Sequence, residues 1–257
     1  MKKFSILAAA FCVCFMSHAE TFKQTLKMAK TGDPAAQALL GMRYFHGDGL
    51  RQDYYAAVKW LRMAADSVPR PILNPSKRKI RFRKSAVRQN ADAQFLLGYC
   101  YQNGYGVGKD FLEAAKWFRK SAEQGNADAQ FSLGRCYSLG EGVEKNPEEA
   151  LIWYKKSAEQ GQAHAQCSLG FSYAVGDGVE HDSLEAAKWF RKSAEQGHIY
   201  AQRFLGLCYA MGDGVEYNLP EAKKWLGKAA EQGDEEAAQA LEYLAKKERA
   251  ERAENGL

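Results

Sequence analysis

The sequence predicts an all-α fold, a solenoid of about five two-helix repeats of 36 residues, with half-repeats as caps. Three observations lead to this prediction. Ala91-Asp92-Ala93-Gln94 returns 36 residues later as Ala127-Asp128-Ala129-Gln130. Tryptophan returns at the same interval, at 117, 153, 189 and 225. Within each unit, apolar residues follow a 3.6-residue period that glycines interrupt, which indicates helices separated by turns.

Each repeat is predicted to contain a helix A and a helix B. Helix A runs from about Ala91 to Asn103, and Gly104 supplies the left-handed residue that ends a helix. Asp110, with Glu113 three residues later, has the spacing of a capping box at the start of helix B. The same spacing returns at Asn146 with Glu149, Asp182 with Glu185, and Asn218 with Glu221. The short connections between them make the two helices antiparallel.

One face of helix A carries residues that recur in every copy, such as Gln94, Leu97 and Gly98. A glycine inside a helix costs about 1 kcal/mol in helix propensity. Its repetition predicts a close backbone approach, under the Trp or Tyr of a neighbouring helix. The Gly-Asp-Gly triplets that follow helix A lack the additional acids of a calcium loop, so we interpret them as turns.

The repeat pattern and the ends of the chain divide the sequence into segments. Lys2 and Lys3 precede a short apolar stretch and Ser17-His18-Ala19, which is typical of a cleaved signal peptide, with an uncleaved signal-anchor as the alternative. We therefore expect a periplasmic or secreted protein. The predicted segments are 1–19, signal peptide; 20–33, N-terminal capping helix; 34–65, repeat 1; 66–90, Pro-rich basic insert or degenerate repeat; 91–126, 127–162, 163–198 and 199–234, repeats 2 to 5; and 235–257, C-terminal capping helix and charged tail.

The basic charge of the chain is concentrated in one segment. The formal net charge is +5, and removal of Lys2 and Lys3 leaves +3. Subtracting the eight cations of the acid-free stretch from Arg70 to Arg88 leaves −5. The cations of the insert, among them Lys77, Arg78, Lys79 and Arg81, predict either a solvated loop or contact with an anionic lipid or glycan surface. Export argues against nucleic acid as a partner.

The combined motif resembles a known family. A-x-A-Q-x-x-L-G-x-x-Y-x-x-G-x-G-V, followed by E-A-x-x-W and K-S-A-E-Q-G, resembles the Sel-one-like repeat (SLR) family, which is related to tetratricopeptide repeats, and in particular an exported bacterial member. The resemblance implies a right-handed α-superhelix that acts as an adaptor for one or more partner proteins. No catalytic residue, metal or cofactor comes with the motif.

Some cysteine-rich members of the family have been described as penicillin-binding proteins or β-lactamases, so a hydrolase is a further alternative. The one Ser-x-x-Lys match, Ser76 to Lys79, is without the companion motifs of those enzymes. We therefore predict no enzymatic activity. The mature cysteines all fall on A helices, about 8–10 Å apart when stacked, which is too far for a disulfide. Four free thiols are expected, at Cys100, Cys136, Cys167 and Cys208.

The partner is expected on the face of helix A opposite the recurring one, because its residues vary between copies and such superhelices place their A helices on the concave side. Aromatic and arginine side chains commonly anchor protein interfaces. The alternative is that some of these side chains only pack between neighbouring A helices. The predicted partner-binding residues are Phe95, Tyr99, Phe131, Arg135, Phe171, Arg203 and Leu207.

Overall fold

The computed structural model describes residues 22–67, 72–73, 80–81 and 84–254. The predicted signal peptide and most of the basic insert lie outside the described residues. Twelve helices follow one another in the described part: α1 (residues 22–30), α2 (Pro34–His46), α3 (Tyr54–Ala65), α4 (Lys84–Asn103), α5 (Phe111–Glu123), α6 (Ala127–Leu139), α7 (Pro147–Glu159), α8 (Ala163–Val175), α9 (Ser183–Glu195), α10 (Ile199–Met211), α11 (Leu219–Glu231) and α12 (Glu235–Glu254).

The helices pack sequentially in pairs, as the repeat pattern predicts for a solenoid. They form two compact units. Unit 1 contains the described residues up to Ala129 together with Glu141–Val143, and α2 pairs with α3 and α4 with α5. Unit 2 contains Gln130–Gly140 and the described residues from Glu144 onward, and α8 pairs with α9 and α10 with α11. In the part of the chain that the structure describes, no helix is both long and apolar enough to span a bilayer.

The even-numbered helices from α2 to α12 are of the A type, and the odd-numbered helices are of the B type. B-type helices begin at the predicted caps: a side-chain oxygen of Asp110 accepts a hydrogen bond from the backbone N–H of Glu113 at 3.0 Å. The reciprocal half of the capping box is absent, because the Asp110 N–H donates to the carbonyl of Tyr101 at 2.9 Å. The Glu113 carboxylate instead pairs with Lys116 at 2.6 Å. The cap therefore ties helix B to the preceding helix A.

Helix α4 begins at Lys84, seven residues before the predicted start at Ala91. The later copies have a glycine where this copy has Gln89, so the signal that would separate two helices is missing here. Asn90, which would otherwise be a cap, lies inside α4 and is buried. Its side-chain amide donates to the carbonyls of Ala64 and Ser67, both at 2.9 Å, at the end of α3.

The segment between α3 and α4 contains a short antiparallel strand pair, which the all-α prediction missed. β1 (Ile72–Leu73) pairs with β2 (Ile80–Arg81), with Ile72 opposite Arg81 and Leu73 opposite Ile80. Isoleucine favours strands over helices because its branched Cβ is restricted in a helix. Only four residues are involved, and the rest of the described chain is helical or in turns.

The core of each repeat forms where helices A and B meet. Leu169 of α8 is fully buried, as are its equivalents in the other repeats. One residue later, a Cβ placed on Gly170 would lie 2.8 Å from the ring of Phe190 and 3.1 Å from the carbonyl of Ala186 on α9. The predicted close approach is therefore present, but the ring above the glycine belongs to the residue after Trp189, not to the tryptophan itself.

The C-terminal helix α12 departs from this arrangement. Glu242 stands 36 residues after Gly206, the last glycine that is closed over by a B-type helix. The Glu242 side chain is exposed and forms an ion pair with Lys246 at 2.7 Å. The first part of α12 packs against α11, where Ala237 and Leu244 are buried with Leu226. Helix α12 therefore lacks the closely packed glycine of the preceding A-type helices.

Candidate functional site on the A-type helices

The recurring glutamine fixes the orientation of each A-type helix. In unit 2, the side-chain amide of Gln166 donates to the carbonyl of Ala158 at 3.1 Å and accepts from Gln196 at 2.7 Å. Gln202 repeats the arrangement with Ala194 at 3.3 Å and Gln232 at 2.7 Å. Each glutamine thus joins its helix to the B-type helices before and after it. Because this side of the helix packs against the B-type helices in the interior, the opposite side faces solvent.

The opposite side of the A-type helices in unit 2 is apolar and exposed. Phe171 on α8 is 47% exposed, and Val175 one turn later is 53% exposed. Leu139 on α6 and Met211 on α10 occupy the position of Val175 in their repeats, with exposures of 57% and 67%. We call this surface the A face of unit 2; it consists of Arg135, Leu139, Phe171, Val175, Leu207, Met211 and Tyr243.

The predicted residues of unit 2 divide into exposed and internal groups. Arg135 and Phe171 are exposed, whereas Leu207 is half-buried against the cluster formed with α11 and α12. Phe131 is half-buried between Tyr154, whose ring centroid is 5.9 Å away, and His164, at 5.7 Å. It therefore packs inside the unit, and we leave it out of the A face.

Arg203 was predicted to bind a partner, but the structure places it in an internal ion pair. Its side chain is only 14% exposed and donates to Asp234 at 3.2 Å, and it also contacts Glu236. Asp234 caps α12 by accepting a hydrogen bond from Ala237 at 2.8 Å. The guanidinium thus joins α10 to the start of α12.

In unit 1, the two predicted residues lie together in an aromatic cluster. Tyr99 is 36% exposed, and its ring centroid lies 6.4 Å from that of Phe95 and 6.1 Å from that of Phe45. Tyr105, from the turn after α4, lies 6.0 Å from Tyr99. The side chains of Phe95 and Tyr99 are therefore mostly occupied by intramolecular packing.

Sequence reasoning missed four residues of the A face: Leu139, Val175, Met211 and Tyr243. The first three share one repeat position, which holds Asn103 and His46 in the earlier copies. Tyr243 follows Leu207 by one repeat and is 66% exposed. Apolar residues at the same position in three consecutive repeats, immediately before a turn, were the signal that could have identified them.

Two histidines lie at the N-terminal ends of the A-type helices in unit 2. His198 caps α10, because its Nδ1 accepts a hydrogen bond from Ala201 at 3.3 Å. The His164 ring meets it edge to face, with centroids 4.7 Å apart. Burial, with a smaller contribution from the charge of His164, lowers the pKa of His198 to about 4. The His198 ring is therefore neutral near neutral pH and can accept its hydrogen bond.

Cys100, Cys136, Cys167 and Cys208 are buried, and within the described ranges no disulfide bond joins any of them. Burial raises the pKa of Cys100 to about 12 and that of Cys208 to about 11. Such thiols are poor nucleophiles at neutral pH, because the thiolate is the reactive form. No group of three or more potential metal ligands occurs in the described ranges.

The remaining predicted functional residues are in the insert. Lys77, Arg78 and Lys79, together with Ser76 of the Ser-x-x-Lys match, lie outside the described residues. Arg81 is described only as part of β2. Contact of the insert with an anionic surface stays a prediction.

The exposed side of the B-type helices in unit 2 is different in kind, since it carries charges of both signs. Lys192 of α9 lies with its Nζ 3.8 Å from the ring centroid of Trp189, and Lys156 and Lys228 lie similarly over Trp153 and Trp225. Three residues after each lysine is an exposed glutamate: Glu159, Glu195 and Glu231. Mixed charges of this kind are typical of a solvated surface.

One family model and several solved structures of known proteins match this chain. A model of the Sel1 repeat matches residues 34–67, 91–126, 127–162, 163–198 and 199–234. The chain is similar to a Sel1 repeat protein from Oxalobacter formigenes, with 32% sequence identity, a TM-score of 0.69, and coverage of 88% of this chain and 86% of that chain. A search of curated proteins gave no match.

A second similar structure is a protective antigen present in uropathogenic Escherichia coli strains, which displays an SLR fold. Its sequence identity is 32% and its TM-score is 0.60 over 89% of this chain, which spans 52% of the length of that protein. The family model matches well over half of the residues, and the resemblance inferred from the motifs is confirmed. The chain belongs to the Sel1 repeat family.

Proposed function

We propose that this chain is a protein-binding scaffold of the bacterial periplasm or secreted fraction, and that it holds one or more partner proteins on the A face of unit 2. The observation that carries the proposal is the row formed by Leu139, Val175 and Met211. These three side chains are more than half exposed, although each lies on a helix whose opposite side is well packed. Contiguous exposed apolar surface is a mark of interaction sites.

The contrast with the B-type helices supports the choice of face. Leu139, Val175 and Met211 occupy equivalent positions, so the apolar surface extends along successive repeats. Isolated exposed apolar residues also occur on the B-type helices, such as Ile152 and Leu184, but lysines and glutamates surround them. A partner that buries the apolar row gains about 25 cal/mol for each Å² of apolar surface removed from water.

The proposal includes no catalytic step. A binding role needs only a rigid surface. The glutamine hydrogen bonds and the close packing of B-type helices over the glycines of the A-type helices provide it. Export follows from the predicted signal peptide, so mass spectrometry of the mature protein should give an N-terminus near Glu20.

Substitutions on the two faces test the proposal. We expect Phe171→Ser, Val175→Ser and Met211→Ser, combined in one variant, to abolish co-isolation of the proteins that copurify with the tagged wild type. The matched control is Ile152→Ser with Leu184→Ser, which removes exposed apolar side chains from B-type helices of the same unit. Both variants should keep the helical circular dichroism spectrum of the wild type. Full retention of the copurifying proteins by the folded A-face variant would rule out this face.

A further inference from the structure

Carboxylates border the A face of unit 2 on the side where the A-type helices end. Asp177 follows Val175 by two residues, and Asp213 follows Met211 by two residues. Each lies in the turn after its helix, where its backbone N–H donates to Ser172 or Cys208 at 3.0 Å. Glu180 and Glu216 lie further along the same turns. The border is therefore repeated, with two carboxylates in each turn.

These four carboxylates are exposed and available. Within the described ranges, no lysine, arginine or histidine side chain lies within ion-pair distance of Asp177, Glu180, Asp213 or Glu216. Elsewhere in unit 2, some acids on the helices are paired, as Glu185 is with Lys188 and Glu221 with Lys224. The backbone of each turn is held by its own hydrogen bonds, so the fold does not depend on these side chains.

The charges of Asp177 and of Arg135, a residue of the A face, both act on the hydroxyl of Tyr154. Burial raises the pKa of the Tyr154 hydroxyl, which a hydrogen bond with Ser138 on α6 opposes. Arg135 also lowers this pKa, whereas Asp177 raises it. Both charged side chains thus lie within electrostatic reach of one hydroxyl at the end of α6. Asp177 also stands two residues after Val175, in the turn that ends α8, and therefore adjoins the A face.

We infer that the segment of the partner that docks on this face carries both apolar and basic side chains. Its apolar groups pack against Leu139, Val175 and Met211, and its lysine or arginine side chains pair with Asp177 and Asp213. The inference rests on the proposed function, since it specifies the chemistry of the partner at the same surface. Stacked helices lie about 8–10 Å apart, which gives the spacing of the apolar groups that the segment must present.

Charge complementarity favours this occupant over two others. An acidic segment would bring like charges together at the border, which is costly at an interface. A second copy of this chain that packed through the same surface would place its own Asp177 and Asp213 against an equally acidic border.

Short labelled peptides of equal length test the inference by fluorescence anisotropy with the mature protein. One peptide alternates leucine with lysine, the second alternates leucine with glutamate, and the third replaces the leucines of the first by serine. We expect the leucine–lysine peptide to bind tightest, and its binding to weaken as salt is added, because exposed ion pairs are screened. Equal or tighter binding of the leucine–glutamate peptide would overturn the inference, as would equal binding of the serine–lysine peptide.

Two variants separate this inference from the proposed function. Asp177→Asn with Asp213→Asn should weaken the leucine–lysine peptide about tenfold, since each exposed pair contributes a few-fold. Glu148→Gln with Glu159→Gln, on the B-type helix α7, should leave binding unchanged. If the Asn variant retains wild-type affinity while Val175→Ser with Met211→Ser loses it, the apolar docking surface stands and the basic character of the partner is wrong.

Discussion

The A-type helices of the two units carry the same recurring residues on their buried side and different residues on their exposed side. In unit 1, the ring of Tyr99 lies 6.0–6.4 Å from three other rings, those of Phe45, Phe95 and Tyr105. In unit 2, Phe171 holds the same repeat position, and among the described residues its ring contacts only that of Phe204, at 6.0 Å. The same backbone therefore presents a closed aromatic cluster in one unit and an open apolar surface in the other.

One part of the difference comes from a turn position. Tyr105 stands between Gly104 and Gly106, where its ring stacks on Tyr54 with centroids 4.7 Å apart. The corresponding residues of unit 2 are Asp177 and Asp213, which have no ring to place over the helix end. A tyrosine covers its neighbours with apolar area, whereas an aspartate leaves them in contact with water. The residue at this turn position thus contributes to how much of the neighbouring helix surface is covered in each unit of this chain.

The largest expected effect is one that the two units share. Leu97 and Leu169 are fully buried at equivalent positions, one in each unit. We expect Leu97→Ala and Leu169→Ala each to lower the free energy of unfolding by about 2–5 kcal/mol, the usual cost of removing a buried leucine side chain. Urea denaturation followed by circular dichroism measures this. A small effect in one unit alone would show that its core is less well packed than the structure indicates.

An intermediate effect should distinguish the units. Tyr99→Ala removes contacts with three rings, and aromatic pairs contribute about 0.5–1.5 kcal/mol each beyond the buried area. Phe171→Ala removes one such pair from a more exposed ring. We therefore expect its loss of stability to be smaller than that of Tyr99→Ala by about 1–2 kcal/mol. Thermal unfolding of the two variants compares them. Equal losses would contradict the distinction between a closed and an open surface.

A smaller effect depends on pH and concerns unit 2 through His198. Its pKa is lowered from 6.5 to about 4 in the folded protein, chiefly by burial. Between these pH values the unfolded chain binds a proton that the folded chain does not, so the free energy of unfolding falls as pH falls from about 6.5 towards 4. Allowing for the partial exposure of the ring, we expect a loss of about 1–2 kcal/mol.

The control for this pH effect is His198→Asn. Asn126 caps α6 at the equivalent position, with its side-chain oxygen 2.8 Å from the Ala129 nitrogen, so asparagine supplies a cap that does not titrate. The stability of the wild type relative to that of the variant should fall as pH is lowered, because only the wild type has His198. Parallel pH profiles would show that His198 does not contribute.

The smallest expected effect concerns the reactivity of the buried thiols and involves no change in the free energy of unfolding. Cys100 in unit 1 and Cys167 in unit 2 are both buried, and burial raises each thiol pKa to about 12. A thiol reagent should therefore react slowly with the native, non-reduced mature protein and should titrate four thiols after denaturation. A count of two or none would reveal a disulfide.

Helix boundaries were predictable wherever the sequence supplies a stop signal. Gly176, for example, has a φ of 74° at the end of α8, as the repeat pattern predicts. The early start of α4 follows from the absence of that signal at Gln89, and it could have been predicted from the same comparison of repeats. The strand pair at Ile72 and Ile80 could not, because two-residue strands leave no periodic pattern.

The candidate site was only partly predictable, because exposure depends on neighbours distant in sequence. Arginine is a residue type that is common at interfaces, but Arg203 pairs within the unit with Asp234, 31 residues later. Tyr99 and Phe171 look equivalent in the repeat, but the rings of Phe45, Phe95 and Tyr105 surround only Tyr99. Repeat position alone therefore identifies the face, and the contacts of each copy decide which side chains remain available.

Site-specific photo-crosslinking tests the central claim most directly. A photoreactive phenylalanine analogue would replace Leu139, Val175 or Met211 on the A face, or Ile152, Lys188 or Lys224, which share one exposed position on the B-type helices of the same unit. We predict that a crosslinked partner protein forms from all three A-face positions and from none of the three B-type positions. Crosslinks from the B-type positions, with none from the A face, would contradict the account.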